Sequence, residues 1–158
     1  MSTDRLISVS VQHASFDLGT EFDQFCLECK GAGAVVSFAG MVRDMNLSDG
    51  VHALELEHYP GMTQKCLHQI AQGAVSRWEL QSVRLIHRVG LLMPGDQIVL
   101  VLTASAHRQA AYEANEYIMD YLKSDAPLWK KEWTAQGARW LDQRQSDQSA
   151  LLRWHDAA

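Results

Sequence analysis

The run Ile98-Val-Leu-Val-Leu102, continued by Thr103-Ala104, leaves little choice of environment. Successive side chains of a strand point to opposite faces, so a strand that is apolar throughout needs cover on both. Ile98–Leu102 is also the longest clean apolar run, far short of what a membrane span requires. Ile98–Ala104 is therefore expected as the central strand of a sheet, inside one domain over residues 1–158, a length that supports an ordinary core.

The neighbouring segments fit that centre. Leu6–Val11, Ala34–Val42 and Val51–His58 read as strands, and Val83, Leu85, His87 and Val89 alternate as another. Thr20-x-x-Asp23 resembles a capping box, opening a helix through Phe22, Phe25 and Cys26 that Gly31 and Gly33 end. Met62, Cys66, Ile70, Ala74 and Trp78 recur every four residues, the stripe of an amphipathic helix. Met93-Pro-Gly-Asp96 is a turn. After the central strand, Ser105 is the expected N-cap of a helix whose buried face is Ala111, Ala114, Ile118 and Leu122. Trp129–Trp133 and Arg139–Leu141 flank a turn at Ala135–Ala138 and predict a terminal hairpin. A short helix over Ser146–Trp154 follows, with a frayed tail over about 155–158. Arg43–Gly50 lacks an apolar period and reads as a mobile loop. The order suits an α+β domain of two layers with a mostly antiparallel sheet.

The 47% apolar fraction is that of a folded globular chain, and the net charge of -5 argues against nucleic acid or an anionic membrane as partner. The opening Met-Ser-Thr-Asp-Arg lacks the basic and then apolar regions of a secretory signal, so the cytoplasm is the expected compartment. Cys26, Cys29 and Cys66 are an odd set of thiols. Cys26-Leu-Glu-Cys29 has no second Cys/His pair at zinc spacing and falls late in a helix, so the cysteines read as packing residues and no metal is expected.

Against this acidic background the second half carries local basicity. His107 and Arg108 fall where a helix begins, and the unpaired N–H groups there disfavour cations unless an anion is held. Arg43, at the mouth of a loop, is either a solvated arginine or a fork for phosphate or carboxylate. Lys123 ends its helix, where a cation is favourable and Asp120 is a possible partner; crowded by other cations, it could also serve as base or nucleophile. Lys130 and Lys131 point to opposite faces of an extended segment, so at most one faces a given pocket. His58 and His87, on strands, read as packed or hydrogen-bonded. Four of the five tryptophans lie beyond residue 128 and mark a packed C-terminal region or a partner surface. Together Arg43, His107, Arg108 and the lysines describe an anion-binding cleft without naming its ligand.

Several segments, in order and over nearly the whole chain, resemble the large, catalytic subunit of molybdopterin synthase. They are Gly33-Ala-Val-Val-Ser-Phe-Ala-Gly-Met-Val-Arg43, Leu54-Glu-Leu-Glu-His-Tyr-Pro-Gly-Met62, Ile86-His-Arg-Val-Gly90 and Pro94-Gly-Asp96, then Ser105-Ala-His-Arg108, Met119-Asp-Tyr-Leu-Lys123 and Pro127-Leu-Trp-Lys-Lys-Glu132. The resemblance implies an α/β hammerhead fold and a homodimer at the centre of a heterotetramer. Each protomer would bind a small ubiquitin-like sulfur carrier by its thiocarboxylate tail. The implied activity is sulfur transfer to cyclic pyranopterin monophosphate, in two rounds, giving the dithiolene of molybdopterin with no cofactor. By similarity Arg43, His107 and Arg108 bind substrate together with Lys123, Lys130 and Lys131, and Lys123 and Lys130 are the essential lysines. Lys123 would be general acid/base or transient acyl acceptor, and Lys130 would stabilise developing negative charge. The cysteine pair is not part of the pattern. Two other readings of the same cations are a non-catalytic module that holds a ubiquitin-like partner, and a hydrolase or transferase acting on a nucleotide. A pure adaptor has no need of converging cations, and the second reading lacks a phosphate loop and metal ligands.

Overall fold

The computed structural model describes residues 3–43, 51–141 and 145–155. Beyond Arg43, the loop expected to Gly50 lies outside the described residues, as does the expected tail beyond His155. A 3-10 turn at Thr3–Leu6 leads into β1 (Ile7–Gln12), α1 (Leu18–Glu28), β2 (Ala34–Met41), β3 (Val51–His58) and α2 (Met62–Arg77). There follow β4 (Leu80–Arg88), β5 (Gly90–Leu92), β6 (Gln97–Ser105), α3 (Arg108–Ser124), β7 (Leu128–Thr134), β8 (Gly137–Leu141) and α4 (Gln145–His155). The class is α+β, with two sheets ordered β1-β4-β6-β2 and β5-β3-β7-β8. Every pairing is antiparallel except β1 with β4.

β6 is the buried central strand its composition requires. Val99 and Val101 pack with Leu67, Ile70, Ala71 and Ala74 of α2 and Ala114, Ile118 and Leu122 of α3. Leu100, Leu102 and Ala104 pack on the opposite face with Phe16, Phe25 and Cys29. α1 thus adds cover on the face that α2 and α3 leave open. Inside the α3 interface, Thr103 Oγ1 donates to the Ala111 carbonyl at 2.7 Å, and Asn115 Nδ2 donates to the Val101 carbonyl at 3.0 Å. These bonds satisfy buried polar groups and fix how α3 lies along the strand. A smaller cluster of Val42, Leu56 and Leu92 joins the two sheets.

Several boundaries differ from expectation for local reasons. α1 is capped by Asp17, whose Oδ1 accepts from the Thr20 N–H at 2.7 Å, so the helix starts ahead of the Thr20–Asp23 box and closes at Glu28 before the glycines. Ser105 does not cap α3: its hydroxyl donates to the Glu79 carbonyl at 2.8 Å, and His107 takes the cap position without a side-chain bond. On α2 the buried face is Thr63, Leu67, Ile70, Ala71 and Ala74, while Met62 at the head of the expected stripe is exposed. At Gly33 a Cβ would stand 2.1 Å from the Ala106 carbonyl oxygen, so this close approach of β2 to the β6–α3 turn requires glycine.

Arg84 holds α1 to the sheet. Its guanidinium meets Glu21 at 3.2 Å and Glu28 at 2.9 Å and lies over the Phe25 ring. The arginine side chain is only 10% exposed, whereas Glu21 and Glu28 are 28% and 52% exposed, so the glutamates regain water if the arginine is lost. Arg84→Ala should therefore cost about 1–2 kcal/mol, below the usual cost of orphaning a buried charge. In urea titrations Arg84→Met, which keeps the packing stem, should lose less; equal losses would mean that the ion pairs, not the packing of the stem, do the holding.

Candidate functional site

The elements sort the expected cations into two groups. β2 runs out at Met41, and the Val42 N–H donates to the Asp96 carbonyl at 2.8 Å, so Arg43 leaves the sheet where β6 begins. Val42 packs on Leu56, whose partner across the β3–β7 ladder is Lys130. His58, at the end of β3, is paired with Leu128. α3 packs along β6 and β2 and carries Lys123 in its last turn. Lys123, Lys130 and His58 all bear electrostatically on one buried side chain, His87, near the end of β4. Thr63, fully buried, ties this corner together: its hydroxyl accepts from the Tyr59 N–H and donates to the Pro127 carbonyl, each at 3.0 Å. The segments bearing His58, Lys123 and Lys130 are thereby locked to the start of α2.

His107 and Arg108 are elsewhere. They are exposed at the N-terminal end of α3, and at 1.5 Å per residue Arg108 and Lys123 stand about 22 Å apart along the helix axis. Within this chain the two halves of the anticipated cleft do not meet.

β7 divides its own lysines. Lys130 shares a face with Glu132, which is 2% exposed and receives Arg139 of β8 at 2.8 Å. Lys131 lies on the opposite face, 3.6 Å from Glu57 and 3.9 Å from Glu55, with its ammonium 4.4 Å from the Trp140 ring centre and 5.8 Å from that of Trp133. The alternation expected of an extended segment thus separates Lys131 from the lysine corner. Asp120, one turn before Lys123, accepts from Arg153 and Trp154 of α4.

His87 is 4% exposed and continues the inward face of Val83 and Leu85. Its Nδ1 is 2.7 Å from the Arg88 carbonyl oxygen. Two acceptors cannot sit that close, so Nδ1 carries the proton and Nε2 the lone pair. Burial pushes the imidazole down to about 4, the Arg88 bond opposes this, and Lys123, Lys130 and His58 add to the depression. His87 is therefore neutral at physiological pH. A polar residue in register with a core stripe was the signal available in the sequence; nothing there linked it to the lysines.

The cysteines are free, and burial pushes the Cys29 and Cys66 thiols up, away from nucleophilic thiolate. Among the described residues no three His, Cys, Asp or Glu side chains come together to hold a metal.

Lys123 of α3, Lys130 of β7 and His58 of β3 thus bear together on one buried imidazole of a two-sheet α+β fold. The family model "MoaE protein" matches residues 11–125. The chain is 56% identical over 147 residues to the "Molybdopterin synthase catalytic subunit" of Ralstonia nicotianae, spanning 93% of this chain and 84% of the relative. It is 56% identical to the protein of the same name from Vibrio cholerae, spanning 92% and 97%. The solved "Molybdopterin biosynthesis MoaE protein" from Burkholderia ambifaria superposes with a TM-score of 0.82 at 46% identity, covering 94% of this chain and 98% of that one. The chain belongs to the MoaE family, the sulfurtransferases of molybdenum cofactor biosynthesis.

The buried neutral imidazole has a consequence for stability. Its folded value lies below the ordinary 6.5, so between about pH 6.5 and 4 the unfolded chain binds a proton that the folded chain refuses. Stability contributed this way is intact above pH 6.5 and falls as the pH drops, by roughly 3 kcal/mol at pH 4. Denaturant titrations across that range should show a smaller acid loss in His87→Phe than in the wild type; parallel curves would place the proton uptake elsewhere.

Proposed function

We propose that this chain moves sulfur from the C-terminal thiocarboxylate of a small ubiquitin-like carrier to cyclic pyranopterin monophosphate, in two rounds, forming the dithiolene of molybdopterin. The observation that carries the reading is that Lys123 and Lys130, from different elements, bear on the same buried imidazole, at the end of the sheet where Arg43 emerges. Both reactants are anionic, one through its phosphate and the other through its thiocarboxylate. A corner of fixed cations lowers the cost of holding them together and of the charge that develops as sulfur leaves its acyl carbon. Lys123 acts as general acid/base or transient acyl acceptor, and Lys130 stabilises the developing negative charge. Arg43 holds the substrate. Sulfur comes from the carrier and not from Cys26, Cys29 or Cys66. The name "catalytic subunit" borne by the relatives supports a second, carrier subunit. We place the reaction in the cytoplasm, where the thiols stay reduced.

His107 and Arg108 belong to the same chemistry through a second copy. A two-fold dimer presents the same patch from both protomers and so can bring the N-terminal end of one α3 to the Lys123 end of the other. The separation of about 22 Å within one helix supports this arrangement. The assembly is a homodimer at the centre of a heterotetramer, one carrier on each protomer. Lys131, engaged with Glu55, Glu57 and two tryptophans on the far face of β7, steadies the hairpin that presents Lys130 and meets no substrate within its own protomer.

Single-turnover transfer from thiocarboxylated carrier to cyclic pyranopterin monophosphate tests both parts. Wild type should make dithiolene, and Lys123→Ala and Arg108→Ala should each make little or none. Mixed and allowed to exchange protomers, the two variants should recover about a quarter of wild-type activity, because half the dimers are mixed and each of those rebuilds one of its two sites. No recovery despite demonstrated exchange would confine each site to one protomer. No product from wild type with bound carrier would favour a non-catalytic module.

A further inference from the structure

The sulfur-transfer reading gives α4 no task, yet α4 holds the acid that the sequence offers to Lys123. On α3 the residues three and four places before Lys123 are Asp120 and Met119, and the helix ends one residue after it, at Ser124. Asp120 is therefore the acid that α3 itself sets within side-chain reach of the lysine. Glu116, Asp120 and Lys123 form one stripe of the helix, spaced by four and then three residues. α4 packs on α3, and its polar contacts fall on the two acids of this stripe. Arg153 donates from Nη1 to Glu116 Oε1 at 2.9 Å and from Nη2 to Asp120 Oδ2, and Trp154 Nε1 donates to the same Asp120 oxygen at 2.7 Å.

Adhesion of α4 has another source. The Trp154 ring stands edge-on to Trp78 at 5.6 Å and to Tyr117 at 5.5 Å between ring centres. The Arg77 guanidinium lies over all three rings and donates to the Trp154 carbonyl at 3.0 Å. Rings and a cation packed in this way hold a helix more firmly than exposed ion pairs do. The two donors that converge on one Asp120 oxygen thus come on top of an anchor that is already made.

We propose that Arg153 and the indole N–H of Trp154 are positioning groups for Lys123: by holding the Asp120 carboxylate on α4, they keep it from pairing with the lysine one turn further on. An ammonium bonded to a carboxylate gives up its proton less readily, and its charge is spent before an anionic reactant arrives. Either role assigned to Lys123, proton exchange or acyl acceptance, suffers from such a pair. α4 acts on the lysine through Asp120, without touching substrate.

The catalytic consequence rests on the reading of Lys123 as a sulfur-transfer residue, but the first arm of the test needs neither carrier nor pterin. Arg153→Met combined with Trp154→Phe removes both donors and keeps the aromatic anchor. At fixed pH, the rate at which an amine-specific acylating reagent labels Lys123, read by peptide mass spectrometry, should fall about two- to fivefold in this double variant. Adding Asp120→Asn should restore the wild-type rate, because the amide fills the same space without the charge. Labelling that is unchanged or faster in the double variant overturns the proposal. A fall that Asp120→Asn does not restore also overturns it and makes α4 a packing element only. In the transfer assay kcat should fall and recover in the same order with little change in KM for the pterin; a kcat indifferent to these substitutions overturns the positioning role. If the double variant does not fold, Arg153→Met alone, at a side chain 47% exposed, decides by the same comparison. A wild type that makes no dithiolene would overturn the sulfur-transfer reading and leave the labelling result standing.

Discussion

The attachment of α3 to β6 is the contact on which the rest of the molecule depends. Ala111, Ala114, Ile118 and Leu122 are almost fully buried on that helix, and Thr103 and Asn115 add directional bonds inside the same interface. Apolar burial supplies most of the adhesion, but it is indifferent to sliding or rotation. The bonds to the Ala111 and Val101 carbonyls remove that freedom, because any shift would leave buried polar groups unpaired. A helix held in this way is a ruler. It fixes His107 and Arg108 at one end of the sheet and Lys123 at the other, and no side-chain motion bridges them. The separation of the two groups of basic residues follows from the same packing that makes the chain stable.

The second sheet uses a different device. In β7 the alternation of side chains sends Lys130 toward the corner with His87 and Lys131 toward Glu55, Glu57, Trp133 and Trp140. Two adjacent residues of one type thereby acquire different environments from backbone geometry alone. Glu132 then buries its carboxylate on the Lys130 face and is matched by Arg139 from β8. An uncompensated charge in that position would cost several kcal/mol, so the hairpin must close in this register for the strand to be stable. The placement of Lys130 is thus tied to the pairing of Glu132 with Arg139.

Much of this was legible in the chain. The two-sided apolar pattern of Ile98–Ala104 identified the central strand, and the 3.6-residue spacing of Ala111, Ala114, Ile118 and Leu122 identified the buried face of α3. The opposite directions of Lys130 and Lys131 followed from strand periodicity. What failed was local and explicable. Ser105 looked like a cap because serine is a good one, but its hydroxyl is taken by the Glu79 carbonyl from a distant part of the chain. Thr20 and Asp23 had the spacing of a capping box, yet Asp17 reaches the Thr20 N–H first. The cations read as one cleft because they are close in sequence, whereas a helix of that length holds its ends far apart. His58 and His87 were correctly read as residues on strands. Their proximity to Lys123 and Lys130 depends on how two sheets meet, and no spacing within one strand encodes that.

The corner also shows how an acidic protein, with a net charge of -5, presents a positive site. The site does not depend on net charge but on which groups are kept away from it. Acidic side chains near the basic residues are already engaged: Glu132 by Arg139, Asp120 by Arg153 and Trp154, and Glu55 and Glu57 by Lys131 on the far face of β7. Among the groups on which both lysines bear is an imidazole that stays neutral. At short range and low effective dielectric the nearest charges dominate, and distant ones are screened within about 10 Å in ordinary salt. Local groups of basic residues therefore coexist with a net negative charge, which disfavours nonspecific binding to nucleic acid. An acid in place of His87 would set one acceptor against another at the Arg88 carbonyl, and its negative charge would oppose that of the lysines that bear on this position.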